Sequence, residues 1–268
     1  MAGLGLAVMA APTIAADIAQ VNVIGFSGDS SYFAFEQYGI QDGSGYPYSM
    51  ISILDVAGNR LVEPPELVVF RDFDEEDFDF DPAPAREIAL ANAMPTLRRF
   101  GLHDAFDGTA ILEDYAEDTT DFPVNERKSF EFTLGPDSFR LDCIGHPISE
   151  QSEDEWWTPE ALELTLTGDT IGTLTLFDHR MFESHAAPQS TDLEPYAAPY
   201  GTNAVDFDIS GVYAVGEHGV FVVIVGYNQP GFEGFDKRYM AVATNLFNLS
   251  SNEGYSDPIP EFAGFANR

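Results

Sequence analysis

Two glycine-rich stretches hold the residues of this chain best suited to meet another molecule. The first, YGIQDGSGYPYS, carries Asp42, Tyr46 and Tyr48; the second, NQPGFEGFDKRY, carries Glu233, Asp236, Lys237 and Arg238. A carboxylate accepts hydrogen bonds or holds a cation, and a phenol ring stacks and hydrogen-bonds at once. Shaped loops on a rigid sheet are where such groups usually act. The second stretch also joins an acid pair to a base pair, in a protein with only 12 Lys and Arg. A plainer reading competes with ligand binding: Glu233 or Asp236 pairs with Lys237 or Arg238 and simply fixes the loop. The occupant of such loops, if there is one, is an unknown protein, small molecule or glycan.

Catalytic signatures are missing, and no catalytic residue is assigned. None of the five histidines, His103, His146, His179, His185 and His218, pairs with another at the spacing of a helical zinc motif. Asp178–His179 and Ser184–His185 are neighbours in sequence, which is no evidence for a triad. The chain has no G-x-S-x-G elbow, no phosphate-binding loop and no dinucleotide fingerprint, so no cofactor is expected. A glycosidase needs two carboxylates, but among 45 acids candidate pairs are inevitable. Residues 72–81, DFDEEDFDFD, read as a solvated acidic loop. Calcium is the functional alternative, although the EF-hand pattern fails for want of glycine and glutamate at its sixth and twelfth positions. Whether a metal binds is therefore unknown from sequence. Cys143 sits in the apolar run FRLDCIG and reads as an inert buried thiol.

The charge narrows the partners further. With 45 acids against 12 bases, the 268-residue chain carries a formal charge of −33. Nucleic acid and anionic lipid both require Lys or Arg to neutralise phosphate, and both are excluded as partners. An apolar content of 44% is ordinary for a folded protein.

The elements that must position these loops are mostly strands. YFAFEQ and MISILDV flank the first loop, and FVVIVGY and YMAVATNL flank the second. Aromatic, β-branched and small apolar residues of this kind suit a pleated, buried surface. Further strands are expected over residues 21–26, around the turn at 135–137, across LELTLTGDTIGTLTLF, and over 205–215 and 219–225. Pro64 and Pro65 interrupt any central strand there. The adjacent Trp156 and Trp157 offer a core ring and a second ring, either exposed as a platform or packed under a loop. Helix is expected only over residues 82–101, with Pro84 in its first turn, Arg98, Arg99 and Gly101 at its end, and Pro95 breaking or restarting it.

Residues 1–16, MAGLGLAVMAAPTIAA, read as a clipped secretory signal. The apolar run is too short to span a bilayer, and Thr13 and Ala15 are small residues at plausible −3 and −1 positions. The mature chain then begins near Ala16 or Asp17, without membrane insertion, in the periplasm or outside the cell.

Two longer matches bear on the family. VIGFSGDSSYFAF resembles a phrase of periplasmic propeller blades, but it occurs in one good copy, and a propeller needs at least four. The stretches GFSGDSSYFAFEQYGIQDGSGYPYS and PGFEGFDKRYMAVAT, with AREIALANAMPTL and LELTL between them, resemble bacterial predicted secreted proteins of unknown function. That resemblance implies export and a shared fold; it implies no activity, substrate or catalytic residue. The expectation is a single β-rich domain over 17–268. Its antiparallel hairpins form a sandwich or barrel-like body, or else an irregular propeller, with an acidic loop and a short helical insertion at about 72–101. Its function reads as a non-enzymatic binding or structural module, against a carboxylate-dependent hydrolase of envelope polysaccharide or a calcium-stabilised module.

Overall fold

A computed structural model describes residues 17–71, 81–106, 108–115, 128–147, 158, 160–178, 204–231 and 234–246. The acidic run, bar Asp81, falls outside the described residues, as do residues 1–16, Trp156, Trp157, His179, His185 and Glu233.

Among the described residues, thirteen strands and one α-helix make three antiparallel sheets and a helical layer. The first sheet orders β1 (Gln20–Phe26), β2 (Tyr32–Ile40), β3 (Pro47–Asp55) and β4 (Arg60–Leu61), with β5 (Glu66–Val69) also on β3. After the helix α1 (Ala83–Arg99), β6 (Thr109–Glu113) joins the middle sheet. The third sheet is a meander of β7 (Ser129–Leu134), β8 (Asp137–Pro147), β9 (Glu160–Gly168) and β10 (Gly172–Asp178). The middle sheet is completed by β11 (Val205–Val215), β12 (Val220–Pro230) and β13 (Phe235–Asn245), in the order β13-β12-β11-β6.

The alternation of side chains across a strand explains the layering. Along β12, Val220, Val222 and Ile224 pack against Phe33, Phe35 and Leu54 of the first sheet. Their neighbours Phe221, Val223 and Val225 face the other way, onto Phe139, Leu141, Leu164 and Leu166 of the third. The middle sheet is therefore covered on both sides, which is why FVVIV is apolar without a break. The first sheet turns its outer face, with Ala34, Ile51 and Ile53, to α1. The helix answers with Ala85, Ala89, Ala93 and Leu97, a stripe of four-residue spacing whose small members let it lie close. The result is a helix, a sheet, a sheet covered on both faces and a third sheet, stacked in that order. The sandwich expectation holds; the described residues form neither a closed barrel nor a propeller.

One local expectation is corrected, and two short strands appear that the sequence did not mark. The helix passes through Pro95 without a break. Pro95 faces solvent, so the carbonyl it leaves without a partner is free to meet water. The helix ends as Arg98, Arg99 and Gly101 imply: Gly101 adopts φ 69°, its N–H bonds Arg98 O at 3.2 Å, and Leu102 N bonds Leu97 O at 2.8 Å. Pro64 and Pro65 do interrupt the strand; the added strands are β5, just after Pro65, and β6, between α1 and β7. Both are short edge strands that the prolines and charges concealed.

Strand β13 lies at the edge of the middle sheet, yet its outward backbone is covered at Lys237, Tyr239 and Ala243. Lys237 N donates to Asp17 O at 2.8 Å, and Ala19 N to Lys237 O at 3.2 Å, so the segment before β1 pairs with the edge. At Tyr239 the cover is a side chain: Gln37 Nε2 donates to Tyr239 O at 2.9 Å, and Tyr239 N donates to Gln37 Oε1 at 3.2 Å. At Ala243 it is Asn59 Oδ1, accepting from the backbone N–H at 2.8 Å. An uncovered edge is a template for pairing with another chain.

Candidate functional site

The two glycine loops, from opposite ends of the chain, meet. The first closes through Gln41 N to Tyr46 O at 2.9 Å and Gly45 N to Gln41 O at 3.0 Å, with Gly43 and Gly45 at φ 75° and 71°. The second closes through Gly231 N to Gly234 O at 2.7 Å. A side chain at Gly231 would bring its Cβ within 2.5 Å of Asp236 Oδ1, so Asp236 would have to shift, and within 3.1 Å of Asp42 Oδ2 on the first loop, a tight contact across which the two loops meet.

Of the sequence-derived candidates, Asp42 and Tyr46 lie on these loops, each partly exposed, and the Arg71 guanidinium sits 5.8 Å above the Tyr46 ring. Tyr48, Asp236, Lys237 and Arg238 do not lie at the surface. Each is at most 4% exposed; Tyr48, Asp236 and Arg238 form an ion network with Asp17 beneath the loops, and Lys237 makes a separate pair with Asp208.

Arg238 is the centre of the network. Its Nη2 donates to Asp17 Oδ2 at 2.6 Å and to Asp236 Oδ2 at 3.1 Å, while Nη1 donates to the carbonyls of Asp17 at 3.1 Å and Lys237 at 2.8 Å. Tyr48 lays its ring 5.4 Å from the guanidinium and donates its hydroxyl to Asp17 Oδ1 at 3.3 Å. The backbone N–H of Asp17 completes the ring of contacts on Asp236 Oδ1 at 3.1 Å. Beside it, Lys237 pairs with Asp208, which also accepts from Ser210 Oγ. That second pair passes over Gly226: a Cβ there would lie 2.5 Å from Asp208 Oδ1 and 2.7 Å from Lys237 Cε. The glycine in VGYN makes room for a buried ion pair.

Burial dominates the electrostatics. It pushes the Asp17 carboxyl up to about 6, with Arg238 opposing and Asp236 adding to the rise. Asp236 and Asp208 shift upward for the same first reason, opposed by Arg238 and Lys237 respectively, and Asp42 adds to the rise at Asp236. Tyr48 is held far above its usual range by burial. These directions describe acids whose loss of water on burial outweighs the cations beside them. Among the described residues no group of three His, Cys, Asp or Glu is placed to hold a metal ion.

One contact had no sequence signal: Ser30 Oγ lies 2.6 Å from His218 Nδ1, across 188 positions. A serine–histidine pair can generate a nucleophile, and Ser30 has the left-handed φ of 58°. Ser30 is only 1% exposed, however, so no substrate reaches its hydroxyl. The pair instead ties the β1–β2 turn to the 3-10 turn Gly216–His218 between β11 and β12.

A stacked β scaffold that presents two adjacent loops over an ionic base is the class these features define. Within that class, the chain belongs to the family described as predicted secreted protein (DUF2259), which matches residues 34–245. No curated protein and no solved structure matches it. The described residues include no helix long and apolar enough to cross a membrane.

Proposed function

We propose that the protein is an exported, non-enzymatic binding module, periplasmic or secreted after loss of a signal peptide, whose ligand docks on the paired loops at 41–46 and 231–234. The observation that carries this reading is the approach of Asp42 to Gly231. Loops that are remote in sequence and fixed side by side on an ion-paired base make a composite surface at little ordering cost. Asp42 and Tyr46 supply its recognition groups; Tyr48, Asp236, Lys237 and Arg238 hold it rigid from below. The surplus of carboxylates favours a neutral or cationic occupant, a glycan or a basic segment of a protein.

The test is an NMR titration of the isotope-labelled protein with soluble envelope glycans and with a lysine-rich peptide. Shifts should cluster at Gly43, Gly45, Gly231 and Gly234 and vanish in Tyr46→Ala or Asp42→Asn. Shifts confined to another surface, or none with any probe, would remove the proposal.

A hydrolase reading draws on the close pair Asp17 and Asp236, one of them with its pKa at about 6. Catalysis by two carboxylates needs both to face the scissile bond. Here they are 4% and 2% exposed and bound to one guanidinium, which favours the structural role.

A further inference from the structure

Among the described residues, the ion network beneath the loops sets two carboxylates against one cation. Asp17 and Asp236 share the single guanidinium of Arg238, and Asp42 adds negative potential nearby. Buried carboxylates in this condition are expensive unless a further cation is supplied. The backbone nitrogen of Asp17 already points at Asp236 Oδ1 from 3.1 Å, inside the protein. Asp17 follows directly on the segment whose sequence reads as an export leader.

We propose that hydrolysis of the Ala16–Asp17 peptide bond supplies that cation. Water adds across the bond; the carboxylate leaves with residues 1–16, and the nitrogen of Asp17 becomes an α-ammonium held by Asp236. The cut is made on the unfolded chain during export, before Asp17 is buried. No rearrangement is required, because the nitrogen keeps its hydrogen bond and only gains protons and charge. The rest of Asp17 is already fixed: its carbonyl accepts from Lys237 N at 2.8 Å, and its carboxylate from Arg238 at 2.6 Å. Ile18 bridges to Lys237, and Ala19 is fully buried. The new terminus thus completes the base on which the two loops stand. A cut one residue earlier, the one that Thr13 and Ala15 at −3 and −1 would give, leaves the Asp17 nitrogen an uncharged amide against Asp236.

This inference rests on the export reading, and the experiment separates the two. Four proteins are compared at pH 7: the chain starting at Asp17, released without scar from a fusion; the chain starting at Ala15; and both starts carrying Asp236→Asn. The Asp17 start should melt about 5 °C above the Ala15 start, a shift that a domain of this size shows for a small number of kcal/mol. That difference should disappear with Asp236→Asn. Because Asp236→Asn can fail to fold, amine acylation gives a second readout: the α-amine of the Asp17 start should react at least tenfold more slowly in the folded than in the urea-unfolded protein. Equal melting temperatures, or a freely acylated terminus, would overturn the ion pair. Mass spectrometry of the protein from its own cells judges the rest. A mature chain starting elsewhere overturns the proposed cut, whereas a chain retained in the cytoplasm with residues 1–16 intact overturns the export reading, with the melting series still scoring the ion pair.

Discussion

Arg86 of α1 grips Glu36 of β2 with two nitrogens, Nε to Oε1 at 2.9 Å and Nη2 to Oε2 at 2.8 Å. This planar pairing crosses the seam between the helix and the first sheet. Glu36 is 5% exposed and also accepts from Ser49 Oγ at 2.9 Å and Asn22 Nδ2 at 3.2 Å, while the guanidinium stacks 3.7 Å from the Tyr38 ring. The helix otherwise contributes mainly alanines to the contact. The pair therefore fixes the N-terminal half of the helix on the sheet, while Asn92 on Glu66 and Arg99 on Glu63 hold the C-terminal half.

Removing the guanidinium should cost more than removing the whole pair. Arg86→Ala leaves a buried carboxylate with only neutral donors and is expected to destabilise by about 2–3 kcal/mol, discounted because the arginine is a third exposed. Glu36→Gln added to Arg86→Ala should recover part of that loss. Urea unfolding of the four proteins in the cycle checks it. Full additivity of the two single changes would show that the pair is not coupled.

The network around Asp17 gives a pH dependence whose sign runs against the usual acid denaturation. With residues 1–16 attached, burial raises the Asp17 carboxyl from 3.8 to about 6. The groups facing it are Arg238, Asp236 and Tyr48. Between those two pH values the unfolded chain has already lost the proton that the folded chain keeps, so stability falls as pH rises. The loss is complete above pH 6 and is worth about 3 kcal/mol. Asp236 shifts in the same direction and adds to it. The unprocessed chain should therefore melt at a lower temperature at pH 7 than at pH 4.5, and Asp17→Asn should flatten that slope. A melting temperature that climbs steadily from pH 4.5 to 7 and is unaffected by Asp17→Asn would contradict this assignment.

Asn59 makes a third test, because one side chain joins two sheets. Its Oδ1 covers the Ala243 N–H at the edge of the middle sheet, and its Nδ2 donates to Leu176 O of β10 at 3.1 Å. Its φ of 45° is a conformation that asparagine tolerates better than most residues. Asn59→Ala removes both bonds and retains the strained backbone, with an expected loss of about 2–3 kcal/mol. Asn59→Gly relieves the backbone but not the bonds and should lose less. Hydrogen exchange at Ala243 should rise in both variants. Protection that stays unchanged would show that the edge is covered by something else.

How far the sequence revealed this arrangement depends on the range of the contacts. The long strands were legible because β-branched and aromatic runs ended in glycine turns, and the alternation in LELTL gave one face of the third sheet directly. The edge strands β5 and β6 were not, since short half-exposed segments carry little periodic signal. Asp236, Lys237 and Arg238 read as a loop tip because they follow PGFEG. Their burial comes from Asp17, 221 positions before Arg238, and from Asp208, 29 positions before Lys237, neither of which marks its partner in the sequence. The meeting of Ser30 with His218 was hidden for the same reason. What local chemistry did foretell was the glycine turn geometry and the capped end of the helix, both set by residues within a few positions of one another.

Cys143 offers a last test, of the core between the middle and third sheets. It lies 2% exposed on β8, among Leu141, Leu164 and Val223, and burial pushes its thiol up to about 12. The thiolate is the reactive form, so at pH 8 the folded protein should present almost none of it. Reaction with a disulfide reagent should then proceed only through opening of the sheets, at a rate that rises with denaturant in parallel with unfolding. Cys143→Ser, which places a hydroxyl in an apolar layer, should destabilise by about 1–3 kcal/mol, whereas Cys143→Ala should cost less. Prompt labelling of the native protein, at a rate independent of denaturant, would mean that the third sheet does not close over the middle one as described.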